Sequence, residues 1–131
     1  MKLQPDRFDA PAINAYGPGW LAVNGQRYAS SLIVNANGRI EPWPWHQFGS
    51  LCAESFTALS AQDAEIVLFG SGLRLRFPQP VWLQALVARR IGVETMDSPA
   101  ACRTYNILAS EGRRVVAAIL LETDGNPSEK G

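Results

Sequence analysis

One histidine and two cysteines in a chain of 131 residues leave little material for a metal site. Cys52 and Cys102 stand fifty positions apart with no companion ligand pattern around His46, so neither a zinc motif nor a disulfide framework is indicated. Both read as reduced thiols of a cytoplasmic protein. Excess charge is missing as well. Twelve basic and twelve acidic residues cancel, which excludes the electrostatic footprint of a dedicated nucleic-acid binder and the basic cluster that holds proteins on anionic membranes. The apolar run Val115 to Leu121 is too short to span a bilayer, and Met1-Lys2-Leu3-Gln4-Pro5-Asp6 lacks the apolar core of a signal peptide. No membrane insertion, cofactor or metal is expected. What is present is 47% apolar content against 18% charged, enough for a globular domain that buries roughly two-thirds of its unfolded surface without a staple.

The organising pattern is a β-α-β-α-β unit from Ile66 to Leu121. Ile66 to Phe69 is a continuous apolar run, as a strand covered on both faces should be. Pro80 opens a helix with Leu83, Leu86 and Val87 as its inner stripe and Trp82 beside it, closed by Arg89 and Arg90 at the negative end of the dipole. The next strand signal lies in the stretch that starts Ile91-Gly92-Val93, with Gly92 marking a close backbone approach. Ser98-Pro99 starts a second helix as N-cap and first residue, its inner face Ala101, Thr104, Tyr105 and Leu108. Gly112 ends that helix in a left-handed cap. Upstream, the runs around Asn24-Gly25, then Ser31 to Val34 and Ile40 to Trp43, read as a small antiparallel meander, the Asn-Gly pair favouring a type I′ turn. A short helix is expected around Glu54 to Ala58, and the alternation Leu73-Arg74-Leu75-Arg76-Phe77 suggests a short extended or hairpin insert. Residues 1–122 make one α/β domain and 123–131 a polar, loose tail.

Ligands of parallel sheets bind outside the carboxyl ends of the strands. That edge receives Gly70, Ser71 and Gly72 from one strand and Asp97 and Ser98 from its neighbour. Arg103 lies within reach of the same helix start, so a small anionic ligand could sit there, with Ser71 as hydrogen-bond partner and Asp97 as base. The plainer reading is an ordinary turn with Asp97 helping to cap the helix. Leu75 stands where a dinucleotide fingerprint needs glycine, and Phe69 and Leu73 stand where a nucleophile elbow needs it. Arg103, Asn106 and Ser110 form a polar stripe, ordinarily a solvated helix face. The aromatic segment with Trp43, Trp45, His46 and Phe48 either closes the core or presents a patch to a protein partner. Cys102 reads as an inert structural thiol and His46 as a loop histidine.

The segment Gly92 to Asn106, with Gly70-Ser71-Gly72 and Phe77-Pro78 upstream, resembles the Mth-type domain of bacterial and archaeal proteins. That family includes an adipogenesis-associated domain protein and mitochondrial NADH dehydrogenase (complex I) assembly factor three. The resemblance implies a three-layer fold: a central, mostly parallel mixed sheet flanked by helices, with one antiparallel strand and an N-terminal antiparallel β-meander. It implies no enzymatic activity, and action through contacts with another protein in assembly or biogenesis of a membrane or respiratory complex. Gly70, Gly72, Asp97, Arg103, Thr104 and Asn106 are the positions that match the family motif.

Overall fold

The computed structural model describes residues 10–122. Segment 1–9 and the expected tail at 123–131 lie outside the described residues. Eight strands and three short-to-medium helices follow in the order β1 (Ile13–Gly17), β2 (Trp20–Val23), β3 (Gln26–Tyr28), β4 (Leu32–Asn35), β5 (Ile40–Pro42), α1 (Ala53–Thr57), β6 (Ile66–Gly70), α2 (Gln84–Ala88), β7 (Gly92–Met96), α3 (Ser98–Ser110) and β8 (Val115–Ile119). Single 3-10 turns occupy Phe48–Ser50, Ala58–Ala61 and Pro80–Leu83.

The main sheet has the order β5-β4-β8-β6-β7. Strands β7, β6 and β8 are mutually parallel, and β4 pairs antiparallel with both β8 and β5. Only β4 therefore runs against the rest, as the family resemblance implies. The second sheet, β1-β2-β3, is fully antiparallel. Its β2–β3 turn is the expected one, with Asn24 at φ 51° and Gly25 at φ 84°.

Strand β8 explains the layering. All five of its residues are buried, because side chains alternate between two covered faces. Val115, Ala117 and Ile119 join Leu32, Val34, Leu68, Ala101 and Tyr105 in a core beneath α3 and the β1-β2-β3 sheet. Val116, Ala118 and Leu120 join Trp43, Phe56, Leu59, Phe69 and Leu86 in a core beneath α1 and α2. These are the three layers.

Several local expectations change. Ser31 to Val34 does not belong to the meander: Leu32–Asn35 is buried at every position, which suits a strand inside the main sheet and not a half-exposed ribbon. The third strand of the meander is β1, upstream of the runs around Asn24-Gly25. Residues 73–77 form no strand or hairpin. Val87 is exposed while Leu86 is fully buried, because the preceding 3-10 turn winds at three residues per turn and shifts the phase of the short helix. Asp97, not Ser98, is the N-cap of α3: its carboxylate accepts from the Ala100 amide at 2.8 Å, and Pro99 falls in the first turn. A side chain at Gly92 would meet nothing closer than 3.8 Å, so no tight approach explains that glycine.

Gly70 is the tight contact. A Cβ there would stand 3.0 Å from the Ser98 Cα and 3.1 Å from the Ala101 Cβ, so its absence lets α3 rest on β6. Gly70→Ala should destabilise the fold by about 1–3 kcal/mol, read as a lower urea midpoint at unchanged slope; an unchanged midpoint would show that α3 can shift freely.

Candidate functional site

The carboxyl ends of β6 and β7 meet the start of α3, where the sequence places Gly70, Ser71, Gly72, Asp97 and Ser98. The structure brings these five together, and their polar groups are engaged with one another. The Ser71 hydroxyl donates to the Arg74 carbonyl at 2.8 Å and accepts from the Arg76 amide at 2.9 Å. Gly72, at φ 103°, donates its amide to the Ser98 hydroxyl at 2.9 Å, and that hydroxyl donates to the Leu120 carbonyl at 2.9 Å. The Ser98 amide is bound by the Gly72 carbonyl at 2.7 Å, and the Ala101 amide by the Asp97 carbonyl at 2.9 Å. Both hydroxyls are thus structural fasteners between neighbouring turns, consistent with the rule that buried polar groups are paired.

Arg103 and Asn106 face a different neighbour. Arg103 is exposed and donates to the Tyr16 hydroxyl at 2.9 Å. That bond, ahead of the nearby Asp97 charge, raises its pKa further above the ordinary arginine value. Asn106 is half-buried and binds Ile13 twice, accepting from its amide and donating to its carbonyl, each at 2.8 Å. A side-chain amide here copies the pairing of a neighbouring strand and latches β1 onto α3. The expected solvated stripe of Arg103, Asn106 and Ser110 is therefore solvated only at its ends.

Between this edge and the β1–β2 hairpin lies a cavity of about 210 Å³, its walls including Tyr16, Trp20, Leu73, Pro99, Cys102 and Glu122. Of the expected site residues, Gly72 and Ser98 reach it. Among the described residues no three His, Cys, Asp or Glu side chains cluster to hold a metal ion.

The aromatic segment divides. Trp43 is fully buried, donates its indole N–H to the Ser55 carbonyl at 3.0 Å, and meets Phe56 and Phe69 edge-on at ring-centroid separations of 5.9 and 6.0 Å. It is a core residue and offers no face to a partner. Trp45 and Phe48 are half-buried and His46 is exposed, so any contact patch belongs to these three.

Two residues outside the expected site tie the segment to the sheet edge. Arg76 and Glu122 form an ion pair at 2.5 Å. The same guanidinium donates to the Ser71 carbonyl at 2.7 Å and lies 4.7 Å above the Phe48 ring. The Glu122 carboxylate also accepts from the Phe48 amide at 2.9 Å. No local pattern announces a pair 46 positions apart, and an alternating Leu-Arg-Leu-Arg-Phe run implies that the arginines face water.

Cys102, on the cavity wall, is pushed up from an ordinary value of about 9 to about 12 by burial, against a weaker downward pull from Arg103. Tyr105, whose hydroxyl donates to the Pro11 carbonyl at 2.8 Å, is likewise raised by burial. Between pH 9 and 12 the folded chain keeps the Cys102 proton that the unfolded chain releases. The native state then binds more protons, so stability falls as pH rises through that window. Urea midpoints measured against pH should fall less steeply there in Cys102→Ala than in wild type; identical slopes would mean the thiol is not shielded.

Comparison with known proteins agrees with this architecture. Residues 13–120 match a family model described as a protein of unknown function (DUF498/DUF598). An uncharacterised protein of Rhodobacter capsulatus is 34% identical over 118 residues, 89% of this chain and 90% of that one. Human NADH dehydrogenase [ubiquinone] 1 alpha subcomplex assembly factor 3 is 32% identical over 128 residues, 96% of this chain and 68% of that one; the bovine counterpart is spanned over 59% of its length. A Mth938-like domain of Bordetella pertussis superposes with a TM-score of 0.78 at 29% identity, covering 98% of this chain and 96% of that one. These matches place the chain in the DUF498/DUF598 family of Mth-type domains, to which complex I assembly factor 3 is related.

Proposed function

We propose that this chain is a non-enzymatic, cytoplasmic protein-interaction domain that serves the assembly of a membrane-bound respiratory complex. The observation that carries the reading is a surface one. Leu73, Leu75 and Phe77 are 64%, 52% and 68% exposed, three of the six exposed large apolar side chains among the described residues, gathered on one short stretch. Clustered exposure of this kind marks contact with another molecule. The family relationship supports the setting, since relatives spanning most of this chain are named as assembly factors for NADH dehydrogenase.

The other reading, a small anionic ligand or an enzyme site at residues 70–72, 97–98 and 103, has less behind it. Ser71, Ser98 and Asp97 already have partners, and the amides of Ala100 and Ala101 that would receive an anion are engaged by Asp97. Arg103 is the exposed member of the set.

Deleting the gene in the source organism should leave partly assembled respiratory NADH dehydrogenase on native gels, with mature complex restored by the wild-type chain. Mature complex at normal abundance in the deletion strain would remove the assembly reading.

A further inference from the structure

We propose that the segment between β6 and β7 is a docking surface for an acidic, apolar stretch of a partner protein, a refinement that rests on the protein-interaction reading. The segment is built inside out. In an extended run, side chains at alternate positions share one face, and a Leu-Arg-Leu-Arg-Phe pattern ordinarily turns its apolar members inward. Here the segment forms no strand and the pattern is not followed: Arg76 turns in, held by Glu122, the Ser71 carbonyl and the Phe48 ring, while Leu73, Leu75 and Phe77 are exposed together with Arg74. Val81 and Val87, later in the same segment, are exposed too. Departures from local patterning of this kind are expected at functional surfaces.

Charge names the occupant. From Ile66 to Val93 the chain carries four arginines, at 74, 76, 89 and 90, and no aspartate or glutamate. Arg76 is neutralised by Glu122, and Arg89 donates to the Ser60 carbonyl. Arg90 stands before the amino end of β7, at the far edge of the sheet from Leu73, so the charge beside the apolar side chains is Arg74, exposed and without a side-chain partner among the described residues. A surface that is apolar and locally positive, on a chain with no net charge, is complementary to apolar side chains flanked by carboxylates. Leu73 also lines the cavity beside α3, so the surface opens into a recess. At about 210 Å³ that recess falls below the roughly 300–1,000 Å³ usual for small-molecule sites, and it suits an anchoring side chain better than a cofactor.

Two other occupants fit less well. Anionic membranes are held by clusters of about four to eight basic residues, against the single unpartnered arginine, Arg74, beside these apolar side chains. A second copy of this chain, docking the same face, would set arginine against arginine.

The test pans an unbiased random-peptide display library on the purified protein, then measures synthetic copies of enriched peptides by fluorescence anisotropy. Enriched peptides should be net acidic with interspersed large apolar residues. Their affinity should fall about tenfold or more for Leu75→Ser/Phe77→Ser and for Arg74→Glu, and a peptide with one acidic residue changed to lysine should recover binding to Arg74→Glu. These side chains are exposed, so the variants should keep the wild-type thermal midpoint. No enrichment, neutral or basic peptides, or affinities indifferent to both variants would overturn the proposal. So would cosedimentation with vesicles of equal parts phosphatidylglycerol and phosphatidylcholine that the Leu75→Ser/Phe77→Ser variant loses, or a dimer that the same variant dissociates. Complementation of the deletion strain separates the two claims. Full rescue by the Leu75→Ser/Phe77→Ser variant would sink the docking surface and leave the assembly role standing, whereas a deletion strain with normal complex sinks the assembly role alone.

Discussion

The inward-facing guanidinium of Arg76 decides what this domain shows to its surroundings. It reaches three groups from three parts of the chain: the Glu122 carboxylate beyond β8, the Ser71 carbonyl at the end of β6, and the Phe48 ring in the aromatic segment. Hydrogen bonds to charged groups contribute about 1.5–3 kcal/mol each where they are shielded. With 23% and 24% of the two side chains exposed, screening lowers that figure here. What remains suffices to set a direction, because a short loop has few competing contacts. With Arg76 held inward, Leu75 and Phe77 on either side of it are exposed.

Gly72 makes the arrangement possible. Any side chain there would meet the Arg76 guanidinium at 2.6 Å and the Glu122 carboxylate at 3.0 Å, and its φ of 103° suits glycine alone. The family-like Gly-Ser-Gly turn thus serves an ion pair instead of a phosphate or a nucleotide. Around it the rest of the edge is closed by backbone bonds through Ser71, Asp97 and Ser98, and the β1-β2-β3 sheet is held against α3 by the Asn106 pairing with Ile13 and by Arg103 with Tyr16. The polar groups at the strand ends, where α/β folds commonly bind ligands, are thereby engaged within the fold.

Local signals in the sequence were enough for the frame. Continuous apolar runs identified β6 and β8, Asn24-Gly25 its turn, and Gly112, at φ 80°, the end of α3, because each depends on residues close together in the chain. Leu32-Ile33-Val34 shows that β4 is a strand but not what it pairs with, so its place beside β8 in the main sheet was not legible. The candidate site was less legible for the same reason carried further. Asn106 finds its partner 93 positions away, and Arg76 finds its own 46 positions away; such polar pairs leave no periodicity behind. Trp43 could be read as core or as contact patch until Ser55, Phe56 and Phe69 were seen around it.

Amide hydrogen exchange in wild type, Arg76→Met and Glu122→Gln tests the central claim most directly. If the ion pair holds the loop inside out, both variants should lose protection at the amides of Phe48 and Arg76, which bond to Glu122 and Ser71, while β6 and β8 stay protected. Unchanged protection at those two amides, or an equal loss throughout the sheet, would contradict it.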